Sequence, residues 1–407
     1  MNKKIVHITF SDKVGGAAVA AYRLHKLMLE NGLDSKMVVF ENLRKEDRIT
    51  TVYKDGFDSL VKKFKVYIFG INSFTLNKKY GHYSSFNLGG NIRNNPIIIE
   101  ADVVYLHWVN YGLINTKDIE YLLKRGKKVF WMMHDMFPIT GGCHHSFDCE
   151  GYTNKCENCH FFNNSNKPGK QLKNKIKLKK YSNMFWIAPS MWLCEKARAS
   201  VVVESKRLQY IPNAISNNFF KLDKGFSKKA LGLSEDYKYI LFGANNLVNN
   251  PYKGYDLFLK VINIVSLKIV EEMIDNVKII LFGATDNQKL KEEIRIPTCF
   301  MGDVSDEYTM NLLYNASDVL LLTSVAENAP LVIQECKASG TPIVAFKVGG
   351  IPEMIRNSDG ILINAGDIEN MASAMIKILK YTSQSDSNKK FDDIHSVINE
   401  HIKIINT

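Results

Sequence analysis

Two doubly wound parallel α/β domains in tandem are what this sequence predicts, on three observations. The chain has 407 residues, beyond the size at which a single hydrophobic core stops growing. Short apolar runs of buried-strand length alternate with amphipathic helical patterns, as in a parallel sheet covered by helices. That alternation stops in the polar segment 217–234 and then starts again. The expected division is an N-terminal domain over 1–213, a C-terminal domain over 214–380, and a helical tail over 381–407 packing back on the first domain.

The opening "KIVHITF" reads as a strand, "SDKVGG" as a loop, and the following stretch as an amphipathic helix. Ala17, Ala20, Leu24, Leu27 and Met28 share one face of it, and Gly32 stops it. Strand-like runs follow at "KMVVF", "DVVYLHW", "KKVFWMMHD" and "MFWIAPS". The second series is "YKYILFGA", "NVKIILFGA", "TCFMGD", "DVLLLTS", "TPIVAF" and "GILINA", interrupted by helices such as "YDLFLKVINIVSLKIVEEM". In "SVAENAPLVIQECKASG", Pro330 reads as a helix start and Gly340 as its stop, so Glu327 lies in the preceding loop and Glu335 inside the helix. Ligands of open parallel sheets collect at the carboxyl ends of strands. Ser11, His107, His134 and Ser190 hold such positions in the first half, and Gly243, Gly283 and Ser324 in the second. The default site is a cleft between the two domains.

Hydrophobic content of 45% and charged content of 23% are ordinary for a globular protein. No run of eighteen apolar residues exists, and "IVHITF" is too short for a signal peptide, so a cytoplasmic protein is expected. The net charge of +11 is uneven. Residues 1–190 carry 29 Lys and Arg against 16 Asp and Glu, whereas residues 191–407 carry 24 against 26. The basic half is expected to meet something anionic, such as a membrane surface, a lipid diphosphate or nucleic acid; a lysine-rich habit of the source would leave the same bias. The densest stretches are Lys167–Tyr181 and Ser59–Tyr80. No G-x-G-x-x-G follows the first strand, which speaks against a dinucleotide-dependent oxidoreductase.

Seven cysteines in a chain of this length do not make a disulfide scaffold. Four of them, Cys143, Cys149, Cys156 and Cys159, fall in one insertion over 143–160. Cys156 and Cys159 have the C-x2-C spacing of a zinc knuckle, while the x5 and x6 spacings before them are looser. A structural zinc and a reduced, metal-free loop both stay open on spacing alone.

Glu327 and Glu335 also stand as E-x7-E, and "AENAPLVIQECKASGTPIVAFKVGGIPEMI" resembles the donor-binding helix region of GT-B glycosyltransferases of family 4. Gly15–Gly16, "HDMFP" at His134, "APSMW" at Ser190, "IPNAI" at Asn213, "YKGYDLFL" at Lys253 and "MGDVSDEYTMNLLYNASDVLLLTS" occur in family order. "HDMFPITGGCHHSFDCEGYTNKCENC" is similar to the branch holding colanic-acid-type exopolysaccharide enzymes. The resemblance implies the GT-B fold and retaining transfer of a sugar from a UDP- or GDP-sugar. It further implies a lipid-linked oligosaccharide acceptor, surface polysaccharide synthesis at an anionic membrane face, no nucleic-acid partner, and no cofactor for catalysis.

Residue by residue, the resemblance gives Lys253 the diphosphate, Glu335 the ribose hydroxyls, and Glu327 the donor sugar and phosphate. Asn328, Ala329 and Leu331 offer backbone N–H groups, and the backbone at Gly302 meets the base. Gly15 and Gly16 let the first loop approach the donor, His134 serves the transferred sugar, and His107 and Trp108 line the acceptor side. The arginine that the family often carries after "ILFGA" is absent from "GANNLVNN", leaving Lys253, the Pro330 helix terminus and the Asn246 amide for the phosphates. A GT-B sugar-nucleotide 2-epimerase and a silent GT-B subunit docking a partner enzyme at a membrane are the alternatives.

Overall fold

The computed structural model describes residues 3–52, 81–86, 89, 92–159, 165–244, 246–247, 250–284, 288–380 and 394–407. The chain forms two compact units, one running to Ala214 and taking back the C-terminal helix, the other running from Ile215 to Phe391. The basic stretch Ser59–Tyr80 lies outside the described residues.

Unit 1 holds a seven-stranded sheet of order β3-β2-β1-β4-β5-β6-β7. Its strands are β1 Lys4–Ser11, β2 Asp34–Glu41, β3 Ile49–Thr51, β4 Val103–Leu106, β5 Lys128–Met132, β6 Met184–Ala188 and β7 Leu208–Tyr210. Every pairing is parallel. β4 and β5 are apolar without alternation because helices cover both faces of the sheet. The longer helices are α1 Gly16–Glu30, α2 Thr116–Lys124, α3 Lys167–Ile176 and α4 Met191–Ala199. On α1 the buried stripe runs through Ala20, Leu24, Leu27 and Met28, with Ala18 in place of the half-buried Ala17. Leu24, Leu27 and Met28 each contribute about 2 kcal/mol by leaving water.

Unit 2 holds a six-stranded, wholly parallel sheet of order β10-β9-β8-β11-β12-β13. Its strands are β8 Lys238–Gly243, β9 Val277–Phe282, β10 Thr298–Gly302, β11 Val319–Leu322, β12 Ile343–Phe346 and β13 Gly360–Ile363. The longer helices are α5 Tyr255–Glu271, α6 Glu307–Ala316, α7 Leu331–Ser339 and α8 Ile368–Lys380. Pro330 is the residue before α7 and Gly340, left-handed at φ 75°, closes it. The final helix, α9 Ile394–Asn406, leaves this unit and sets Val397, Ile398, Ile404 and Ile405 into the unit 1 cluster containing Ile5, Leu24 and Phe130. Tyr105 and His401 Nδ1 meet there at 3.2 Å.

Both sheets reverse direction beside their first strand, between β1 and β4 in unit 1 and between β8 and β11 in unit 2. At such a switch point the two following connections diverge to opposite faces and leave the strand ends open to a ligand. The fold class expected from the sequence, two doubly wound Rossmann-like units, is the one observed.

One lysine of the basic stretch Lys167–Tyr181 is not available to an anionic partner. On α3, Lys167, Lys170 and Lys173 are exposed, but Lys175 is wholly buried. Its ammonium donates to the carbonyl of Phe137 and, at 3.0 Å, to that of Thr140, and it lies 3.7 Å from the centre of the Phe137 ring.

Candidate active site

In unit 2 the polar side chains gather at the carboxyl ends of β8 and β11. After β11, Thr323 and Ser324 lead into the loop that carries Glu327 to the start of α7. After β8, the chain returns through Tyr252, Lys253 and Gly254 into α5, and this loop is clasped to the first. The Thr323 hydroxyl donates to the Gly254 carbonyl at 2.9 Å, and the Val325 N–H to the Tyr252 carbonyl at 2.8 Å. Gly254, left-handed at φ 64°, is needed for this approach, since a Cβ there would stand 2.0 Å from the Thr323 carbonyl oxygen.

The clasp brings Lys253 Nζ to 2.6 Å from Glu327 Oε1, which also accepts from the Ser324 hydroxyl at 2.9 Å. The two partners keep only 27% and 13% of their side-chain exposure. Their attraction is therefore less screened than that of a surface pair. The Glu327 carbonyl is approached from the other side by Gly349, where a Cβ would sit 1.6 Å from the oxygen. Glu327 is thus held by its carboxylate and by its backbone.

Glu335, inside α7, is buried, and its Oε2 accepts from the Tyr314 hydroxyl of α6 at 2.6 Å. It is not the solvated glutamate that a surface helix would carry. Asn328 is buried, whereas Ala329 and Leu331 are half-buried at the amino end of α7, the positive end of its dipole, which favours an anion. Gly302 closes β10, beside β9 at the sheet edge. Asn246 lies between β8 and the Lys253 loop, left-handed at φ 51°.

In unit 1 a row of imidazoles crosses the switch point. His7 Nδ1 lies 2.9 Å from His107 Nε2, and His107 Nδ1 lies 3.0 Å from His134 Nε2. A neutral imidazole has one N–H, so the direction of the first hydrogen bond dictates the second, and the tautomer of His134 is coupled to that of His7. Burial keeps the row neutral. It lowers His7 and His107 well below the ordinary range and His134 from 6.5 to about 4, against the opposing pull of Asp135.

This geometry corrects one expectation. His107 is 3% exposed, with both ring nitrogens engaged, so it cannot line an acceptor surface. Trp108 is half-buried and donates its indole N–H to Asp135 Oδ2 at 3.2 Å. Gly15 and Gly16 begin α1 with no atom within 4 Å of where a side chain would start.

Sequence reasoning took Asp135 for a helix N-cap and His144 for a neighbour of the cysteines, and missed that the two pair. Asp135 accepts from the Phe137 N–H at 2.8 Å and sits 2.6 Å from His144 Nδ1, whose other nitrogen lies 2.8 Å from the Ser84 hydroxyl. Burial pushes the Asp135 carboxyl upward, but His144 and the Phe137 N–H outweigh it and hold it below its usual value. The only linear signal was the pair of histidines nine and ten residues after "HD".

His25 and His401, also in unit 1, are lowered by burial to about 4 and about 3. Between these values and 6.5 the unfolded chain binds more protons than the folded one. Unit 1 is therefore expected to have its full share of stability from these groups above about pH 6.5 and to lose it as pH falls through about 4. All four tryptophans, Trp108, Trp131, Trp186 and Trp192, lie in this unit, so urea unfolding followed by their fluorescence reads it selectively. A midpoint unchanged between about pH 7 and 4.5 would refute the assignment.

Two doubly wound parallel units, with an acid, a lysine and a helix amino end at the switch point of the second, define the GT-B fold. Residues 238–381 match the family model described as glycosyl transferases group 1. N-acetyl-alpha-D-glucosaminyl L-malate synthase of Bacillus anthracis is 28% identical over 183 residues, 44% of this chain and 46% of that protein. The chain thus spans about half the length of the relatives it matches. Among solved structures, sucrose-phosphate synthase from Thermosynechococcus elongatus superposes with a TM-score of 0.65 at 14% identity, covering 99% of both chains. Alr3699/HepE of Anabaena, solved with UDP and glucose, superposes with a TM-score of 0.63 at 15% identity, again over 99% of both. At such identities the likeness carries the fold alone.

Proposed function

We propose that the chain is a retaining glycosyltransferase that takes a sugar from a nucleotide diphosphate sugar and passes it to a lipid-linked oligosaccharide in surface polysaccharide synthesis, at the cytoplasmic membrane face. The observation that carries the donor half of this reading is the Lys253–Glu327–Ser324 cluster at the amino end of α7. As the glycosidic bond stretches, the leaving diphosphate gathers negative charge, and preorganised donors aimed at it lower the barrier. The Lys253 ammonium and the α7 N–H groups are such donors. Glu327 accepts from hydroxyls of the sugar, and Glu335, steadied by Tyr314, accepts from those of the ribose. A nucleotide-sugar donor also agrees with the UDP and glucose held by Alr3699/HepE.

The carboxylates nearest the ends of β1 and β5 favour a front-face course. Asp12 takes the N–H groups of Leu43 and Arg44, and Asp135 is committed to His144, Trp108 and Phe137. Neither is a ready nucleophile for double displacement. The departing phosphate then takes the acceptor's proton, and His134 hydrogen-bonds a hydroxyl of the transferred sugar. Among the described residues no helix is long and apolar enough to cross a membrane, so membrane contact would rest on the exposed lysines of unit 1.

Thermal unfolding with UDP, GDP and their sugars tests the donor reading. One nucleoside diphosphate at about a hundred times its dissociation constant should stabilise the protein by about 2.7 kcal/mol. Glu335→Gln should lose most of that gain, whereas Tyr314→Phe, which keeps the carboxylate, should retain most of it. If no nucleoside diphosphate moves the transition, the donor reading is wrong.

A further inference from the structure

We propose that Cys143, Cys149, Cys156 and Cys159 bind one zinc ion, which staples the segment between β5 and α3. The four cysteines come from separate turns yet line a single cavity of about 40 Å³, walled also by Tyr83 and Tyr152. Four thiolates suffice for a closed tetrahedral zinc site. Both ends of the segment are pinned, since Cys143 bridges to Tyr83 and Cys159 to Ser165.

Three further features suit a metal thiolate. The Gly151 N–H donates to Cys149 Sγ at 3.5 Å, and the Gly141 backbone hydrogen-bonds the Cys156 sulfur, the outer-shell pattern that orients metal-bound sulfur. Cys156 and Asn158 are both left-handed, at φ 52° and 51°. The left-handed region suits an asparagine but strains Cys156, a strain that persists where other bonds hold the turn. The third is Lys175, hydrogen-bonded to main-chain carbonyls; burial lowers its ammonium to about 7, against the pull of Cys143, Asp135 and Cys156 near it. Four thiolates around a dication carry a net charge of −2, and a buried ammonium next to them offsets part of that charge.

Among the described residues no three His, Cys, Asp or Glu side chains already stand at ligand spacing. Zn–S bonds of about 2.3 Å therefore require the four side chains to swing from the cavity wall to its centre. On binding, each thiol yields its proton to solvent and each sulfur donates an electron pair to the ion, with no change of oxidation state.

The test uses the full chain purified under reducing conditions without chelator. Elemental analysis should find about one equivalent of zinc, lost in Cys156→Ser/Cys159→Ser and kept in Cys194→Ser, a buried cysteine away from the cavity. Should the double variant fail to fold, cobalt exchange into the wild-type chain decides, since tetrahedral thiolate ligation gives intense visible absorption. Less than about a tenth of an equivalent after refolding with zinc overturns the proposal. So does zinc retained by the double variant, or a cobalt spectrum of oxygen ligands. None of these outcomes bears on nucleotide binding by unit 2.

Discussion

Lys253→Ala is expected to lower kcat/KM by about a hundred- to a thousand-fold, the cost of removing one preorganised donor from a developing anion. The ammonium contacts Glu327 at 2.6 Å, so the loss has two conceivable origins: a missing charge on the leaving diphosphate, or an unneutralised Glu327. A double-mutant cycle with Glu327→Gln separates them. Where Lys253 serves the diphosphate, the double variant stays at least as slow as Lys253→Ala. Where it serves Glu327, neutralising that acid restores most of the rate. Recovery in the double variant would remove Lys253 from the donor site.

Gly349→Ala is expected to destabilise unit 2 by about 2–4 kcal/mol and to slow turnover as well. Gly349 is left-handed at φ 54°, and the added Cβ would lie 1.6 Å from the Glu327 carbonyl oxygen. That atom is backbone, and no rotamer relieves the clash. The loop carrying Glu327 must move instead, taking the carboxylate away from Lys253 and Ser324. Gly232→Ala is the matched control, because Gly232 is left-handed at φ 67° with nothing within 4 Å. It should cost only the conformational penalty, about 1 kcal/mol. Equal losses in urea unfolding of the two variants would mean that the close approach at Glu327 is absent in solution.

Local chemistry made much of the fold legible. The 331–339 helix follows Pro330 and ends at a left-handed Gly340, both effects of φ preferences within a few residues of chain. Apolar runs such as "VLLL" and "IVAF" became fully buried strands because a parallel sheet covered on both faces asks for no polar alternation. What a linear pattern carried badly was the fate of single polar residues. His107 read as an acceptor contact and is an internal link of an imidazole row. Lys175 counted in the basic cluster expected to face an anionic partner and is a core residue. The pairing of Asp135 with His144, which organises the turn after β5, was not visible in the linear order.

The amino-acid order by itself determined the alternation of strands and helices, its restart after a polar bridge, and the loop and helix positions of Glu327 and Glu335, because each depends on neighbours in the chain. The tertiary structure alone decided which side chains meet. Lys253 reaches Glu327 across 74 residues, and His7 reaches His107 across 100. Parallel strands joined by crossovers bring distant segments to the same sheet end, and no pattern within either segment encodes that contact.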